Sequence, residues 1–461
     1  MRAEVISISS QHLDTPTLHE FCTKGRRIRN GANYIKRKAY YEHDKYQIDC
    51  NDIDRAVKGH IDTDEVKFII DNYPKEIEVI RKHAQGLSSA CIQSIIQGLG
   101  DEWVNYKKAL DSYKANPSKF KAPPGVPGYA KKDITIVLQK NGFKIEDNTF
   151  VISKLKFKSP IKVRCHDNQK YNQKAGTSKV QEVRIKPCSG NNFEIHLAYE
   201  EEKKQDKRTE QLDKNNYMAI DLGVSNLATI VAVSKTEKLH PILIKGGALK
   251  SFNAKYNKHV AFLKSKKKYK TKTKIDYNRE TKFRDAFHQI SHLIIEYALD
   301  HHIGNIVIGH NQQWKQNINI GKVNNQAFCF IPYKKLIDYI TYKGQEVGIN
   351  VETSDESYTS KASALDLDDI PTYVEGDKNH YTFSGVRKYR GLYYSKVSGI
   401  YLNADVNGAL NILRKKYGNE CIESIVKDAV YTKGVLNTPE VVKLPVITPH
   451  LSHLKITEIT V

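Results

Sequence analysis

The sequence YMAIDLGVSNLAT fills residues 217–229, and the second half of the chain is organised around it. Four apolar or aromatic residues lead into Asp221, and Gly223 precedes a second apolar run over 227–233. This pattern predicts a buried hairpin whose first strand ends in a carboxylate. A buried carboxylate is costly unless a cation or hydrogen-bond donors stabilise it, so Asp221 is a candidate metal ligand. The alternative is that Asp221 only caps a tight turn.

A second candidate acid lies in the sequence NADVNGALNIL at residues 403–413. The spacing of Ala409, Leu410 and Leu413 predicts an amphipathic helix with Asp405 in its first turn. Asp405 either caps the helix N-terminus or meets Asp221 at a shared metal site.

Together the two stretches resemble the first and third motifs of the RuvC-type, RNase H-like nuclease domain. They are most similar to those of TnpB proteins, the RNA-guided nucleases encoded by insertion sequences. Type V CRISPR effectors and the eukaryotic Fanzor proteins are similar. The resemblance is specific over residues 217–413. It implies an α/β RuvC-like domain, an N-terminal β-barrel-like domain with a helical insertion, and two lobes.

The position of the second catalytic acid departs from the majority pattern. In most relatives the strand matching residues 305–308 ends in Glu, whereas this chain has Gly309. Either the enzyme is inactive or the acid comes from elsewhere. The segment SDESYTSK at 354–361 resembles the rearranged site of a subset of TnpB and of Fanzor proteins, which assigns Glu356, with Asp355 as the fallback. Adjacent strand residues point to opposite faces, so only one of the two is expected to serve.

The resemblance therefore implies that Asp221, Glu356 and Asp405 are both catalytic residues and metal ligands. Phosphodiester hydrolysis needs an activated water and relief of charge on the leaving oxygen, which two Mg²⁺ ions can provide. Mg²⁺ prefers oxygen ligands, so three carboxylates suffice. Asp221 is expected to bridge the two ions.

Charge and cysteine usage restrict the partners and the compartment. The net charge of +21 and the pI near 9.3 predict a polyanionic partner. A simple RNA-binding protein would have the same composition, so charge alone does not indicate a nuclease. Seven cysteines without a close pair indicate a reducing compartment. No apolar run suits a membrane span, and no signal peptide is recognisable. We expect the cytoplasm with the bacterial nucleoid, or the nucleus in a eukaryote.

Basic residues cluster in three places, at residues 23–37, 250–284 and 387–390. Residues 23–37 combine a basic helix face with an aromatic residue, and residues 250–284 hold thirteen Lys or Arg against two acids. Either run is typical of a solvated helix or of nucleic-acid contact. The predicted contacts are Arg26, Arg27, Arg29, Lys36, Arg37, Lys264, Lys266, Lys267, Lys268, Lys270, Lys272, Lys274, Arg387 and Arg390.

Periodicity and composition divide the chain. Residues 87–113 have the spacing of an amphipathic helix with Trp103 in its core face, and the proline-rich residues 116–132 mark a boundary before several short strands. With the resemblance, the expected parts are a wedge-like β domain (1–12 and 116–200), a helical recognition insertion (13–115), a linker (201–214), the RuvC-like nuclease domain (215–359 and 402–415), a target-nucleic-acid-binding insertion (360–401) and a C-terminal tail (416–461).

Relatives carry two C-x-x-C pairs that bind Zn²⁺ in the insertion. The matching positions here are Ser363, Asp366, Ser395 and Ser398. Because none is Cys, we expect no zinc, and we expect packing to hold the insertion through Tyr381, Phe383, Leu392 and Tyr393.

The resemblance implies an RNA-guided DNA endonuclease encoded by or derived from a transposon. Its implied partners are a guide RNA, a non-coding RNA from the end of the element, and target double-stranded DNA with a short adjacent motif. One alternative is a nuclease-inactive protein that still binds RNA and DNA as a repressor or domesticated factor. Another is a non-guided nuclease or RNA-binding protein.

Overall fold

A computed structural model describes residues 2–42, 48–146, 148–152, 154–163, 180–199, 206–223, 225–310, 331–373, 379–389 and 391–443. The chain forms two compact units, Met1–Lys203 and Lys204–Val461. Part of the predicted linker belongs to the second unit, because Lys207–Gln211 forms a 3-10 turn and a strand begins at Asp213. No helix among the described residues is long and apolar enough to cross a membrane.

Five helices form much of the first unit. They are α1 (Thr15–Glu42), α2 (Cys50–Lys58), α3 (Asp64–Asn72), α4 (Pro74–Ala84) and α5 (Ser89–Ala115). Helix α5 begins after Ser88, whose side chain accepts a hydrogen bond from the Cys91 amide. It corresponds to the helix predicted over 87–113, with both ends two residues later. Trp103 is 2% exposed and donates to Asn33 Oδ1 at 3.0 Å, so its predicted place in the core is confirmed.

The first unit also contains two antiparallel sheets, with strand orders β1-β7-β6-β2 and β3-β4-β5. Their strands are β1 (Arg2–Ile8), β2 (Ile136–Gln139), β3 (Phe143–Glu146), β4 (Thr149–Ile152), β5 (Ile161–Lys162), β6 (Val180–Cys188) and β7 (Asn192–Tyr199). Strand β3 was not predicted. Helix α1 packs closely on β2, since a Cβ at Gly25 would lie 2.2 Å from Ile136 Cδ1.

A six-stranded mixed sheet forms the centre of the second unit, with the order β12-β11-β8-β9-β10-β16. Its strands are β8 (Asp213–Leu222), β9 (Asn226–Val233), β10 (Ile242–Lys245), β11 (Ile303–Gly309), β12 (Asn350–Ser354) and β16 (Glu440–Lys443). Strand β9 pairs antiparallel with both β8 and β10, whereas β11 and β12 run parallel to β8. The hairpin predicted from residues 217–233 is confirmed as β8 and β9.

Helices cover both faces of this sheet. They are α6 (Gly247–Ser265), α7 (Tyr269–Asp300), α8 (Tyr333–Glu346) and α9 (Ala404–Tyr417). Met218 and Ile220 of β8 share a core with α7 and α8, whereas Ala219 shares a second core with α9. Because side chains alternate along a strand, Asp221 belongs to the α9 face together with Ala219.

Two further parts complete the second unit. Strands β13 (Gly385–Tyr389), β14 (Leu392–Ser395) and β15 (Ile400–Asn403) form a small antiparallel sheet that leads directly into α9. The C-terminal segment, where the sequence showed no motif, forms α10 (Glu423–Lys427), α11 (Ala429–Gly434) and then β16, which pairs in parallel with β10. Residues 416–443 are therefore part of the fold of the second unit, and 444–461 lie outside the described residues.

Candidate active site

Asp221 lies inside strand β8 rather than in a turn. In the strand register it lies opposite Thr229 of β9, so the turn-capping explanation is wrong. Its carboxylate lies against helix α9, because a Cβ built on Gly408 would be only 2.7 Å from Asp221 Oδ2. Burial and the nearby charge of Asp405 raise the pKa of Asp221 to about 7, and Arg387 partly opposes this shift. This carboxylate is thus held at a place where negative charge is unfavourable without a cation.

Asp405 lies in the first turn of α9, as predicted, but it is not the cap. The cap is Asn403, whose side chain accepts hydrogen bonds from the backbone N–H groups of Asp405 and Val406 at 3.0 and 3.3 Å. The capping explanation for Asp405 is therefore wrong, and its carboxylate has other partners.

Those partners come from two strands, and a third strand supports one of them. Asn226 Nδ2 at the start of β9 donates to Asp405 Oδ2 at 2.6 Å, and Lys245 Nζ at the end of β10 donates to Asn226 Oδ1 at 2.9 Å. Arg387 Nη2 on β13 lies 3.6 Å from Asp405 Oδ1. The carboxylate is consequently oriented on one oxygen and charge-compensated on the other.

Glu356 brings its carboxylate to the end of strand β11. A Cβ at Gly309 would lie 3.1 Å from Glu356 Oε2 and 2.5 Å from Ile412 Cδ1 of α9. Ile308 pairs with Ile220, the residue before Asp221, so Gly309 ends β11 beside the end of β8. The Glu356 carboxylate thus lies where a side chain at position 309 would begin.

The charges of both Asp221 and Glu356 act on the Tyr333 hydroxyl. Its hydroxyl donates to the backbone oxygen of Gly223 at 2.8 Å. Burial raises the pKa of Tyr333, and the charges of Asp221 and Glu356 add to the shift. Tyr333 therefore remains a neutral hydrogen-bond donor next to the candidate acids.

Asp355 is engaged in a different set of contacts. Lys415 Nζ donates to Asp355 Oδ2 at 2.5 Å, and Ser357 Oγ donates to Oδ1 at 2.8 Å. Burial acts in the opposite direction, but these hydrogen bonds hold the pKa of Asp355 below its ordinary value. Strand β12 ends at Ser354, so the two acids follow the strand and strand alternation does not decide between them. The contacts themselves direct Asp355 towards Lys415.

The donor chemistry of this site suits a hard divalent cation. Asp221, Glu356 and Asp405 offer carboxylate oxygens, and the raised pKa of Asp221 indicates negative charge that lacks full compensation. Among the described residues, however, no group of three or more His, Cys, Asp or Glu side chains is arranged closely enough to hold a metal ion. The three acids belong to neighbouring elements but do not form a closed ligand set.

The basic residues predicted on α1 are mostly occupied by contacts within the first unit. Arg29 is 7% exposed and pairs with Glu102, with Nε at 3.0 Å from Oε1. Arg37 donates to the Pro127 backbone oxygen at 3.0 Å. Lys36 donates to the Ile48 backbone oxygen, and Arg26 lies 3.4 Å from Asp133, whereas Arg27 is exposed.

The basic residues predicted in the second unit are more accessible. Lys272 is paired with Asp276, and Arg387 contacts Asp405. The Lys270 side chain and Arg390 lie outside the described residues. The remaining lysines around the α6–α7 connection are exposed, namely Lys264, Lys266, Lys267, Lys268 and Lys274.

Three contributors to the site were not predicted from the sequence. Asn226 and Lys245 act on Asp405 through hydrogen bonds between strands, and Tyr333 reaches the site from α8. Asn226 lies within the stretch at 217–229, and its position at the start of a buried strand was the available signal.

Two regions of the chain match known families. Residues 196–315 match the OrfB_IS605 family of probable transposases, and residues 333–412 match the TNB domain of Cas12f1-like proteins. The chain is a TnpB- and type V effector-like protein. In this TnpB-like chain the first region contains Asp221 and the second contains Glu356 and Asp405.

One curated protein and two solved structures are similar to this chain. The CRISPR-associated endodeoxyribonuclease Cas12f1 of Sulfoacidibacillus thermotolerans is 23% identical over 353 residues, covering 69% of this chain and 77% of the relative. A Cas12f1–sgRNA–target DNA complex determined by cryo-EM is 14% identical with a TM-score of 0.35, covering 90% of this chain and 100% of that one. A CRISPR-Cas12f ternary complex is 15% identical with a TM-score of 0.33, covering 87% and 81%.

Proposed function

We propose that this TnpB-like protein is an RNA-guided DNA endonuclease, encoded by or derived from a transposon, whose second unit is a RuvC-like nuclease domain. The main support is that three acids from distant parts of the sequence lie on neighbouring elements, at the ends of β8 and β11 and the start of α9. The relative Cas12f1 is named an endodeoxyribonuclease, which is consistent with this chemistry.

We assign Asp221, Glu356 and Asp405 as the residues that would hold Mg²⁺. When bound, the metal supplies an activated water and relief of charge on the leaving oxygen. A bound cation would also remove the electrostatic penalty that Asp221 and Asp405 impose on each other. In this proposal, binding of cation and phosphate would bring the three carboxylates into one ligand set.

The surrounding residues prepare the site for a phosphodiester. Asn226, held by Lys245, fixes the orientation of the Asp405 carboxylate. Arg387 lies within reach of Asp405, so its guanidinium can shift to a phosphate oxygen when DNA enters. Tyr333 stays protonated and keeps the turn at Gly223 in place beside Asp221.

Guide RNA and target DNA are proposed as partners. The net charge of +21 favours a polyanionic partner, and the exposed lysines around the α6–α7 connection belong to the same unit as the acids. A short adjacent DNA motif is proposed from the family resemblance alone.

One observation favours a second candidate, a nuclease-inactive protein that binds guide RNA and DNA. Among the described residues the acids do not form a closed metal-binding group. This candidate predicts intact binding to a matching duplex without cleavage.

The deciding experiment begins with the RNA that co-purifies with the protein. After that RNA is sequenced, a matching DNA duplex is incubated with the complex in Mg²⁺ or in chelator. We expect cleavage only with Mg²⁺, loss of cleavage in Glu356→Ala, and retention in Asp355→Ala, since Asp355 is held by Lys415. Loss of cleavage only in Asp355→Ala would identify Asp355 instead of Glu356 as the second acid. DNA binding without cleavage by the parent would support the inactive candidate. Absence of a discrete RNA would contradict guidance.

A further inference from the structure

The four positions of the insertion where relatives carry zinc-binding cysteines lie together in this structure. Ser363 and Ser395, both fully buried, have their hydroxyl oxygens 3.1 Å apart, and the hydroxyl oxygens of Ser395 and Ser398 are 2.6 Å apart. The Ser398 amide donates to Asp366 Oδ1 at 2.9 Å, and the Ser398 hydroxyl donates to the same oxygen. The Asp366 amide donates to Ser363 Oγ at 3.3 Å, which closes the ring of contacts.

These side chains do not suit Zn²⁺. Structural zinc sites use thiolates and imidazoles, whereas the donors here are three hydroxyl groups and one carboxylate. The hydroxyl groups and the carboxylate also bind one another, so each polar group already has a partner. A hydrogen-bonded cluster therefore occupies the position of the metal cross-link.

The cluster extends to the beginning of strand β13. Ser384, the residue before β13, donates through its hydroxyl to Asp366 Oδ2 at 3.0 Å and to Asp368 Oδ1 at 2.5 Å. The Ser384 and Ser363 amides donate to Asp368 Oδ2 at 3.0 and 2.7 Å. Arg387, which contacts Asp405, follows three residues after Ser384 on the same strand.

The cluster is also attached to helix α9. Arg414 donates to the backbone oxygens of Asp368 and Ser363 at 2.7 and 3.3 Å. Asn411 donates to the backbone oxygens of Thr359 and Ala362 at 2.8 and 2.7 Å. One helix thus carries Asp405 at its start and holds the segment after Glu356 further along.

We propose that Ser363, Asp366, Ser395 and Ser398 form a metal-free clasp that replaces a zinc cross-link and positions Arg387 of β13 at Asp405. Asp366 is the central positioning residue, because it joins Ser398 on one side of the insertion to Ser384 on the other. Hydrogen bonds from the serines outweigh the effect of burial and lower the pKa of Asp366 to about 2, so its carboxylate is charged at neutral pH. The consequence for Arg387 rests on the proposed nuclease function, whereas the clasp itself does not.

Backbone hydrogen exchange of the complete protein without nucleic acid tests the clasp separately from catalysis. In Asp366→Ala we expect the amides of β13 and of residues 363–368 to exchange about ten- to a hundredfold faster, because several hydrogen bonds to a charged group are lost. Asp369→Ala, which removes the same charge from an exposed neighbour, should leave exchange unchanged. Treatment of the parent with a zinc chelator should also have no effect.

Two further variants keep the test decisive. If Asp366→Ala does not fold, Ser398→Ala removes contacts from the exposed edge of the clasp and should accelerate β13 exchange in the same region. The combined Ser363→Cys, Asp366→Cys, Ser395→Cys and Ser398→Cys variant should lose protection in chelator and regain it on addition of Zn²⁺.

Unchanged exchange in Asp366→Ala, or loss of parental protection in chelator, would overturn the clasp. Failure of the cysteine variant to respond to Zn²⁺ would show that the four side chains do not form the cross-link. If the parent cleaves DNA, Asp366→Ala should lower the cleavage rate, and zinc should restore it in the cysteine variant. Normal cleavage despite accelerated exchange would overturn only the positioning of Arg387.

Discussion

Substitution of Gly309 by Ala tests whether Glu356 and Ile412 occupy the room of a side chain at that position. The added Cβ would lie 2.5 Å from Ile412 Cδ1, whereas carbon atoms pack at about 3.5–4.0 Å. Overpacking of this kind costs about 1–3 kcal/mol. For a large domain each kcal/mol corresponds to about 2–4 °C in Tm, so the thermal transition of the second unit should fall measurably.

Ile412→Val supplies the matched second change, because it removes the Cδ1 atom that the new methyl group would strike. Alone it should cost about 0.5–1.5 kcal/mol. In the double variant the alanine methyl fills part of the vacated space, so the two losses should not add, with a coupling of about 1 kcal/mol or more.

Cleavage should behave differently from stability in these variants. The Cβ at position 309 would also lie 3.1 Å from Glu356 Oε2, and Ile412→Val does not relieve that contact. We expect a several-fold slower cleavage in Gly309→Ala that persists in the double variant. Calorimetry and single-turnover cleavage are the two measurements. Additive stability losses, or an unchanged cleavage rate, would refute this account of Gly309.

Three other predictions use contacts elsewhere in the chain. Asn226→Ala removes the amide that orients Asp405 and should slow cleavage about ten- to a hundredfold with little change in Tm, and an unchanged initial rate would contradict that role. Arg29→Ala should destabilise the first unit by about 1–3 kcal/mol in urea unfolding, because it breaks a partly buried ion pair with Glu102. Arg27→Ala, at an exposed position, should weaken RNA binding in a filter assay without loss of stability. Equal stability of the two variants would argue against this distinction. Asp366 has a lowered pKa in the folded protein, so its contribution to stability should be complete above about pH 4 and be lost as the pH falls towards 2. The Tm values of the parent and of Asp366→Ala, measured over a pH series, should therefore converge in acid. A constant difference in Tm would exclude this linkage.

The parts of the fold that depend on local pattern were predictable from the sequence. The apolar run before Asp221 and the second apolar run over 227–233 specify the β8–β9 hairpin, and the spacing around Asp405 specifies α9. The apolar spacing over 87–113 likewise specifies α5. In each case the periodicity of apolar residues matches a single element.

Features that depend on contacts between distant segments were not predictable in the same way. Gly309 could be recognised as unusual, but its reason is the approach of Ile412 and Glu356. Arg29 looked like a basic surface residue because nothing in α1 shows that Glu102 pairs with it. Strand β16 is short and polar at its edges, so only its pairing with β10 identifies it.

Contacts within the insertion were only partly predictable from the sequence. The resemblance located the four positions that lack cysteine, and packing was expected to hold the insertion. Tyr393 is indeed buried, and its hydroxyl donates to the Lys361 backbone oxygen at 2.7 Å. Tyr381 is 37% exposed, but its ring packs edge-on against Tyr358 with 5.2 Å between the ring centroids. Hydrogen bonding among the serines and Asp366 was not expected, because serine and aspartate carry no periodic signal for mutual contact.

Divalent-ion binding by charge-matched variants tests the convergence of the three acids most directly. Titration of Mn²⁺ into the RNA-bound protein with matching DNA, followed by electron paramagnetic resonance, reports bound ions independently of turnover. Glu356→Gln and Asp355→Asn each remove one negative charge from neighbouring positions and preserve side-chain shape. We predict that Glu356→Gln weakens Mn²⁺ binding about tenfold or more while Asp355→Asn binds as the parent does. Normal binding by Glu356→Gln, or loss only in Asp355→Asn, would contradict a site built from Asp221, Glu356 and Asp405.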